Sequence, residues 1–487
     1  MDFENRFAEI IRRHGETGDH AEALESLEKL EQSGMSADLE ARVCEAEGLL
    51  HFQRNEIHDT LECFRRALSL SDGMDYARRQ ALFSNYLMYL HYMDGVTEED
   101  MRAAHFSYGQ LFPYVTPFSH GRRDKEKLRI GYLSSNVSDS IVVNFSVQLL
   151  ARRNRERYEA FLYGTGKKKD EVTEWLCGMV DGWRDLSMLS PEEAAGQIHG
   201  DGIDILFDLT GHTEGGKTLQ IAAYKPAPVQ ICGIGYFDTT GLPAMDYFLS
   251  DVYCDPVEND ALFSERLLRL PHSHFCYTPP ASVLECSAEY HIHRPIVFGC
   301  FNNFHKITDG MLRLWHQLLE RVPDARLLLK NVSPDGRLVE AMRQRALKAG
   351  FRPDQLDLRP GSWKYLDEYM DMDIALDTYP YPGGGTTCEA LYMGVPVISL
   401  YGRRHGSRFG YSLLNNIGLG ELAAAAPEDY VEKAAALASD EELLLALHGI
   451  LRGRMQQSPV MDAGGYVRGM ESAYERIWAE WMDGGSR

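Results

Sequence analysis

The stretch that most constrains this chain runs from 373 to 400 and reads DIALDTYPYPGGGTTCEALYMGVPVISL. Residues 373–376 read as an apolar strand, and prolines at 380 and 382 stop regular structure. Gly383, Gly384 and Gly385 then let the backbone turn without a Cβ penalty. Thr386 and Thr387 open a helix over 388–393 that ends at Gly394, before Pro396 and a further strand at 395–400. A glycine turn feeding a helix N-terminus leaves free N–H groups and the positive end of a dipole facing outward. Such an arrangement suits a phosphate or diphosphate. Glu389, about one turn into the helix, is placed to accept hydrogen bonds from a ribose. The competing reading is an ordinary βα turn, since neither a P-loop GK[ST] nor a GxGxxG fingerprint is present.

The length of 487 residues implies two or three domains. A net charge of −22 argues against broad binding to nucleic acid or an anionic membrane, although a local basic pocket is still allowed. The nine cysteines show no CxxC pair or zinc spacing, so they read as reduced thiols in a reducing compartment. The N-terminus lacks a signal-peptide core, and no apolar run approaches the roughly 18 residues of a membrane span. The expected location is cytoplasmic.

Residues 1–120 read as paired helices. Phe3, Phe7, Ile10 and Ile11 share one face, and Ala23, Leu24, Leu27 and Leu30 mark a second helix. Leu24-Glu25-Ser26-Leu27 returns 37 residues later as Leu61-Glu62-Cys63-Phe64, with Gly18-Asp19 and Asn55-Glu56 as the turns. This is similar to a tetratricopeptide repeat, and two repeats need a further helix near 77–93 and the next domain to stack on. The stack is either a peptide groove or a helical cap.

Strands alternate with helices over 125–288 and again over 289–462, and a closing helix follows within 463–487. That alternation predicts two parallel sheets, each with its site at the strand C-terminal ends. In the first half, 204–209 leads to Thr210-Gly211-His212-Thr213, where His212 is either a catalytic group or a structural hydrogen-bonder. In the second, 295–300 leads to Asn302, Asn303 and Lys306, a cation suited to a diphosphate. The basic loop 403–408 either faces phosphate or is solvated. Asp371-Met372-Asp373 has a metal-binding DxD form but sits at the wrong end of its strand, so no metal ligand is assigned.

FNNFHKIT, the 373–400 run, HGSRFGYSLL, DLTGHT and KPAPVQICGIGYFDTTGLPAMDYFLSD together resemble the catalytic region of the O-GlcNAc transferase and Spindly family, over about 128–425. The resemblance implies a GT-B fold, that is, two Rossmann-like domains facing a cleft, here behind a short all-α domain. It also implies metal-independent, inverting transfer from a nucleotide-sugar, most readily UDP-N-acetylglucosamine, to a Ser or Thr of a polypeptide. By the same resemblance Lys306 stabilises the departing diphosphate and Asn303 contacts phosphate. Gly385, Thr386 and Thr387 form the diphosphate loop, Glu389 binds ribose and Tyr365 meets the nucleobase. Thr210, His212 and Thr213 meet sugar and acceptor. No cofactor is implied beyond the donor, and the repeats offer a place for the polypeptide to dock.

This chain departs from the family at one place. The family pattern DFxxHPxxHF is replaced here by 136–145, with Ser140 and Asn144 at the histidine positions and Ile141 at the proline. A serine hydroxyl is not ionised at neutral pH and cannot serve as the base. His212, Asp139 or the donor phosphate must take the proton, unless the donor or acceptor differs (GDP-fucose, or glucose to Asn) or the chain only binds.

Overall fold

The computed structural model describes residues 3–31, 35–71, 74–122, 125–280, 283 and 290–484. The expected boundary between the two halves, at 288–289, lies outside them. Six helices come first: α1 (Phe3–Thr17), α2 (His20–Glu31), α3 (Ala37–Gln53), α4 (Ile57–Ser69), α5 (Tyr76–Leu90) and α6 (Glu98–Tyr108). The α1–α2 and α3–α4 hairpins turn at Gly18 (φ 63°) and Asn55 (φ 64°), both in the left-handed region. These are the two turns that the 37-residue echo marks. Leu27, Leu30, Val43 and Leu50 are buried, and Phe3, Phe7 and Ile10 pack on them, while Ile11 falls outside that face and is exposed.

Strands β1 (Leu128–Ser134), β2 (Tyr158–Gly164), β3 (Gly182–Asp185), β4 (Ile205–Asp208), β5 (Val229–Cys232), β6 (Tyr247–Asp251) and β7 (Arg266–Leu270) form a parallel sheet ordered β3-β2-β1-β4-β5-β6-β7. A second parallel sheet has the order β10-β9-β8-β11-β12-β13. Its strands are β8 (Val297–Cys300), β9 (Arg326–Lys330), β10 (Leu356–Arg359), β11 (Ile374–Leu376), β12 (Val397–Leu400) and β13 (Ala423–Ala424). Chain order reverses between β1 and β4 in one sheet and between β8 and β11 in the other. Those two switch points are where a doubly wound sheet opens a crevice. The closing helix, Ala463–Met482, crosses back to the first half: Tyr158 and Tyr247 donate to its Glu475 and Glu480 at 2.9 Å each.

The helical region is bolted to both halves. The layers approach closely where glycine allows it: a Cβ on Gly241 (φ 65°) would lie 1.8 Å from the His105 carbonyl oxygen, and one on Gly216 (φ 66°) 2.2 Å from the side-chain Oγ of Ser84. On the other side, Phe52 at the end of α3 stacks on His305 with ring centroids 4.1 Å apart. Its carbonyl lies 2.7 Å from His305 Nε2, and Asn55 donates to the Phe304 carbonyl at 3.3 Å. No helix among the described residues is long and apolar enough to cross a membrane. The eight cysteines among them form no disulfide.

Candidate functional site

The crevice at the exits of β8 and β11 holds a cavity of about 560 Å³, lined among others by Asn303, Lys306, Trp363, Tyr365, Thr386 and Glu389. The helix that follows β11 runs over Gly385–Tyr392, three residues earlier than 388–393, so Gly385, Thr386 and Thr387 are its first turn. The N–H groups of such a turn have no intrahelical acceptor. Asp377 shapes the approach to it. Its carboxylate accepts from the amides of Gly383 (2.7 Å) and Thr378 (3.0 Å), and from Ser399 Oγ (2.8 Å) and Asn302 Nδ2 (3.2 Å). Asn302 in turn accepts from Thr386 Oγ1 at 2.5 Å, which ties the β8 loop to the helix start.

The glycines here serve close approach rather than a left-handed turn, since none of the three has a positive φ. A Cβ on Gly385 would fall 2.4 Å from Ile141 Cδ1, a side chain reaching across from the first half. One on Gly383 would strike Thr386 Oγ1 at 2.4 Å, whereas Gly384 has only ordinary contact with Phe145 at 3.7 Å. Thr387 is turned inward, its hydroxyl donating to the Gly383 carbonyl at 3.0 Å, and it does not line the cavity.

Lys306 projects over the Tyr381 ring, with Nζ 3.6 Å from the ring centroid, and donates to the Pro382 carbonyl at 3.1 Å. Desolvation pulls its ammonium down to about 8, partly opposed by Asp377. Glu389 is pushed up to about 7 by burial, although Tyr365 (2.6 Å) and Tyr369 (3.0 Å) donate to its two oxygens. Tyr365 therefore offers its ring to the cavity while its hydroxyl is spent on Glu389. Asn303 lines the cavity, and its side-chain oxygen holds His305 at 2.7 Å.

The first-half candidates are placed differently. His212 is fully buried, with Nδ1 2.9 Å from Ser84 Oγ of α5 and Nε2 2.9 Å from the Thr240 carbonyl. Burial, then the neighbouring His105, hold it well below the usual imidazole range. With both nitrogens engaged and no exposed surface it cannot reach a substrate, which corrects its reading as a catalytic group. Thr210 Oγ1 accepts from the Ser135 amide at 2.9 Å, and Thr213 Oγ1 donates to the Thr210 carbonyl at 2.8 Å. Neither lines the cavity. His91 and His105 complete this buried patch, at 3.2 and 2.6 Å from Tyr236 Oη.

The basic loop neither faces the cavity nor is simply solvated: Arg408 donates to the Tyr253 carbonyl at 2.9 Å, so it latches one half to the other. The DxD aspartates are structural, with Asp371 paired to Arg359 (2.5 Å) and Asp373 accepting from the Val297 amide (2.6 Å). Trp363, fully exposed at the cavity rim, is a wall that sequence reasoning missed, as are Lys330, Asn331 and Val332 at the β9 exit. The only signal for Trp363 was a tryptophan in a polar loop after a strand.

The profile of glycosyl transferase family 41 matches residues 111–281 and 277–470. The chain belongs to that family. It is 36% identical over 416 residues to an Oryza sativa subsp. japonica protein described as "Probable UDP-N-acetylglucosamine--peptide N-acetylglucosaminyltransferase SPINDLY", a match spanning 82% of this chain and 44% of that protein. An Arabidopsis thaliana protein of the same description, SEC, is 30% identical over 368 residues, spanning 72% and 37%. The family 41 chain thus spans less than half the length of these curated relatives. A solved Thermobaculum terrenum O-GlcNAc transferase variant shares the GT-B arrangement, with a TM-score of 0.87 and 29% identity over 97% of this chain and 90% of that one.

Proposed function

We propose that the family 41 chain is a protein O-glycosyltransferase that takes a nucleotide-sugar, UDP-N-acetylglucosamine first among donors, and transfers the sugar with inversion to a Ser or Thr hydroxyl. The observation that carries this reading is Lys306. It is a desolvated ammonium at a cavity wall, facing a helix N-terminus whose approach Asp377 holds rigid. A hydroxyl attacks the anomeric carbon, the bond from that carbon to the diphosphate oxygen breaks, and the nucleoside diphosphate leaves. Lys306 and the N–H groups of the 385–387 turn meet the charge that builds on it. Trp363 and Tyr365 flank the base, and Glu389 accepts from the ribose.

With His212 locked away, the hydroxyl proton goes to Asp139 or to the departing phosphate. Asp139 stands exposed at the lip of the cleft, close enough for its charge to act on Tyr365. A large loss of turnover in Asp139→Asn assigns the proton to the carboxylate, and a small one assigns it to the phosphate. The α1–α4 hairpins would dock the polypeptide acceptor. Location in the cytoplasm of a bacterial cell is the setting this reading implies.

The reading is tested by incubating the protein with candidate acceptor peptides and UDP-N-acetylglucosamine, UDP-glucose or GDP-fucose, followed by intact-mass spectrometry. An added N-acetylhexosamine mass on Ser or Thr, absent in Lys306→Ala, supports it. A deoxyhexose from GDP-fucose, or a hexose on Asn, moves the donor or acceptor assignment. That alternative is motivated by Ser140, which stands where the family has histidine and whose Oγ is buried without a partner. Donor binding with no transfer to any acceptor would leave a binding protein.

A further inference from the structure

The two α/β halves meet again outside the cavity, at the exits of β6, β7 and β12. Cys254 and His274 come from the first half, and His405 from the second, where it opens the 3-10 turn His405–Arg408. All three are buried, and one donor atom from each lies within 4.8 Å of the others. None of them lines the 560 Å³ cavity.

Each imidazole is held by a carboxylate. His274 Nδ1 lies 2.5 Å from Asp251 Oδ2, and His405 Nδ1 lies 2.6 Å from Asp255 Oδ2. A neutral ring that donates its Nδ1–H keeps its lone pair on Nε2, and His274 Nε2 is buried with no hydrogen-bond partner. Carboxylates that orient imidazoles through Nδ1 and leave Nε2 free form the outer shell that metal-binding histidines use. Charge points the same way. Asp251 and Asp255 are both fully buried, and among the described residues their ion-pairing partners are these two histidines. One dication on the outer nitrogens offsets two of the three negative charges that the carboxylates and a Cys254 thiolate bring together.

We infer that Cys254, His274 and His405 form a zinc site that fastens the two α/β halves together. A thiolate with two imidazoles is a donor set for zinc rather than for magnesium, calcium or manganese. As the zinc–sulfur bond forms, the Cys254 thiol proton passes to solvent. Both histidines bind through Nε2 and keep their Nδ1 protons on the aspartates. Water completes a four-coordinate shell. The cation sets the relative position of the halves and takes no part in the chemistry at the donor cavity. The ligands come from three separated segments, so no sequence spacing announces them.

The test is titration of the full chain, stripped by chelator dialysis, with Zn²⁺ against a chromophoric competitor, and in parallel with Co²⁺. The expected result is one equivalent of Zn²⁺, a rise in Tm on binding, and a thiolate-to-cobalt charge-transfer absorption. That absorption should be absent in Cys254→Ser. His405→Gln should remove high-affinity binding, and Asp255→Asn should weaken it by about 10–100-fold. His51→Ala controls for the partly exposed His51, Glu56 and Asp59 group and should change nothing. Absence of stoichiometric binding by the unmutated chain overturns the proposal. So does binding that survives Cys254→Ser or that depends on His51.

Discussion

At the switch point of the first sheet, between β1 and β4, the crevice is filled by the protein itself. Ser135 and Thr210 bond to each other across it, and Ser84 of α5 reaches in to His212. At the switch point of the second, between β8 and β11, the same topology leaves about 560 Å³ open beneath Lys306 and the Gly385–Tyr392 helix. The difference comes from what each crevice is packed against. Helices α5 and α6 press on the first, where Gly241 lets backbones touch and Gly216 leaves room for the Ser84 side chain. The second meets the tip of the α3–α4 hairpin through Phe52 and His305, and Tyr92 beyond α5 through Tyr381, and none of these four residues lines the cavity. A sheet topology therefore says where a site can be, and the neighbouring layer decides which of two equivalent places is used.

The sharpest way to break the comparison is to remove one group from each crevice. Lys306→Ala should lower kcat by about 10²–10³-fold, the usual cost of losing one preorganised charge stabiliser, with Tm unchanged within error. His212→Ala should do the reverse. It should lose about 1–3 kcal/mol of stability for each buried partner left unpaired, at Ser84 and Thr240, while turnover per folded molecule stays within a few-fold. If His212→Ala abolishes turnover in folded protein, the first crevice is a working site after all.

Next in size are the wall residues. Trp363→Ala should weaken UDP by about 1–3 kcal/mol, the worth of one base stacked on an aromatic ring, with kcat little changed. Gly385→Ala should weaken donor binding through its 2.4 Å clash with Ile141, whereas Gly384→Ala, with 3.7 Å of room, should not.

The pH dependence separates the crevices more gently. In the free protein Glu389 must lose its proton near 7 and Lys306 must keep its own below about 8, so kcat/KM should follow a narrow bell between those values. Glu389→Gln should remove the acid limb. Stability should instead track the other patch. Burial holds His91, His105 and His212 below their unfolded value of 6.5. As pH falls through 6.5 the unfolded chain takes up protons that the folded chain refuses, so their contribution is complete above 6.5 and is lost below it. A Tm flat from pH 7.5 to 5 would contradict this.

Much of this architecture was legible in the sequence, because apolar runs ending in polar loops mark parallel strands. Residues 229–232 match β5, and the 463–481 helix falls one residue short of its observed end. β3 (Gly182–Asp185), β6 and β7 escaped notice: β3 is half-exposed at a sheet edge, and Arg266 and Arg269 interrupt the leucines of β7. The glycine turn into the Gly385–Tyr392 helix was legible through its glycines and threonines. Asp377 was not, since a buried aspartate that bonds four groups reads in sequence like any strand-end acid. His212 misled because the residue that disarms it, Ser84, is 128 positions away in a helix of another layer. Trp363 and the Cys254–His274–His405 group are set by tertiary approach alone.

The account stands on the claim that the second crevice, and not the first, holds the donor. Calorimetric titration of UDP into the unmutated chain, Lys306→Ala and His212→Ala tests this directly. The account predicts one site, an affinity lowered by at least about tenfold in Lys306→Ala as a charge-assisted bond is lost, and no change in His212→Ala. Unchanged affinity in Lys306→Ala, or loss of binding in folded His212→Ala, would contradict it.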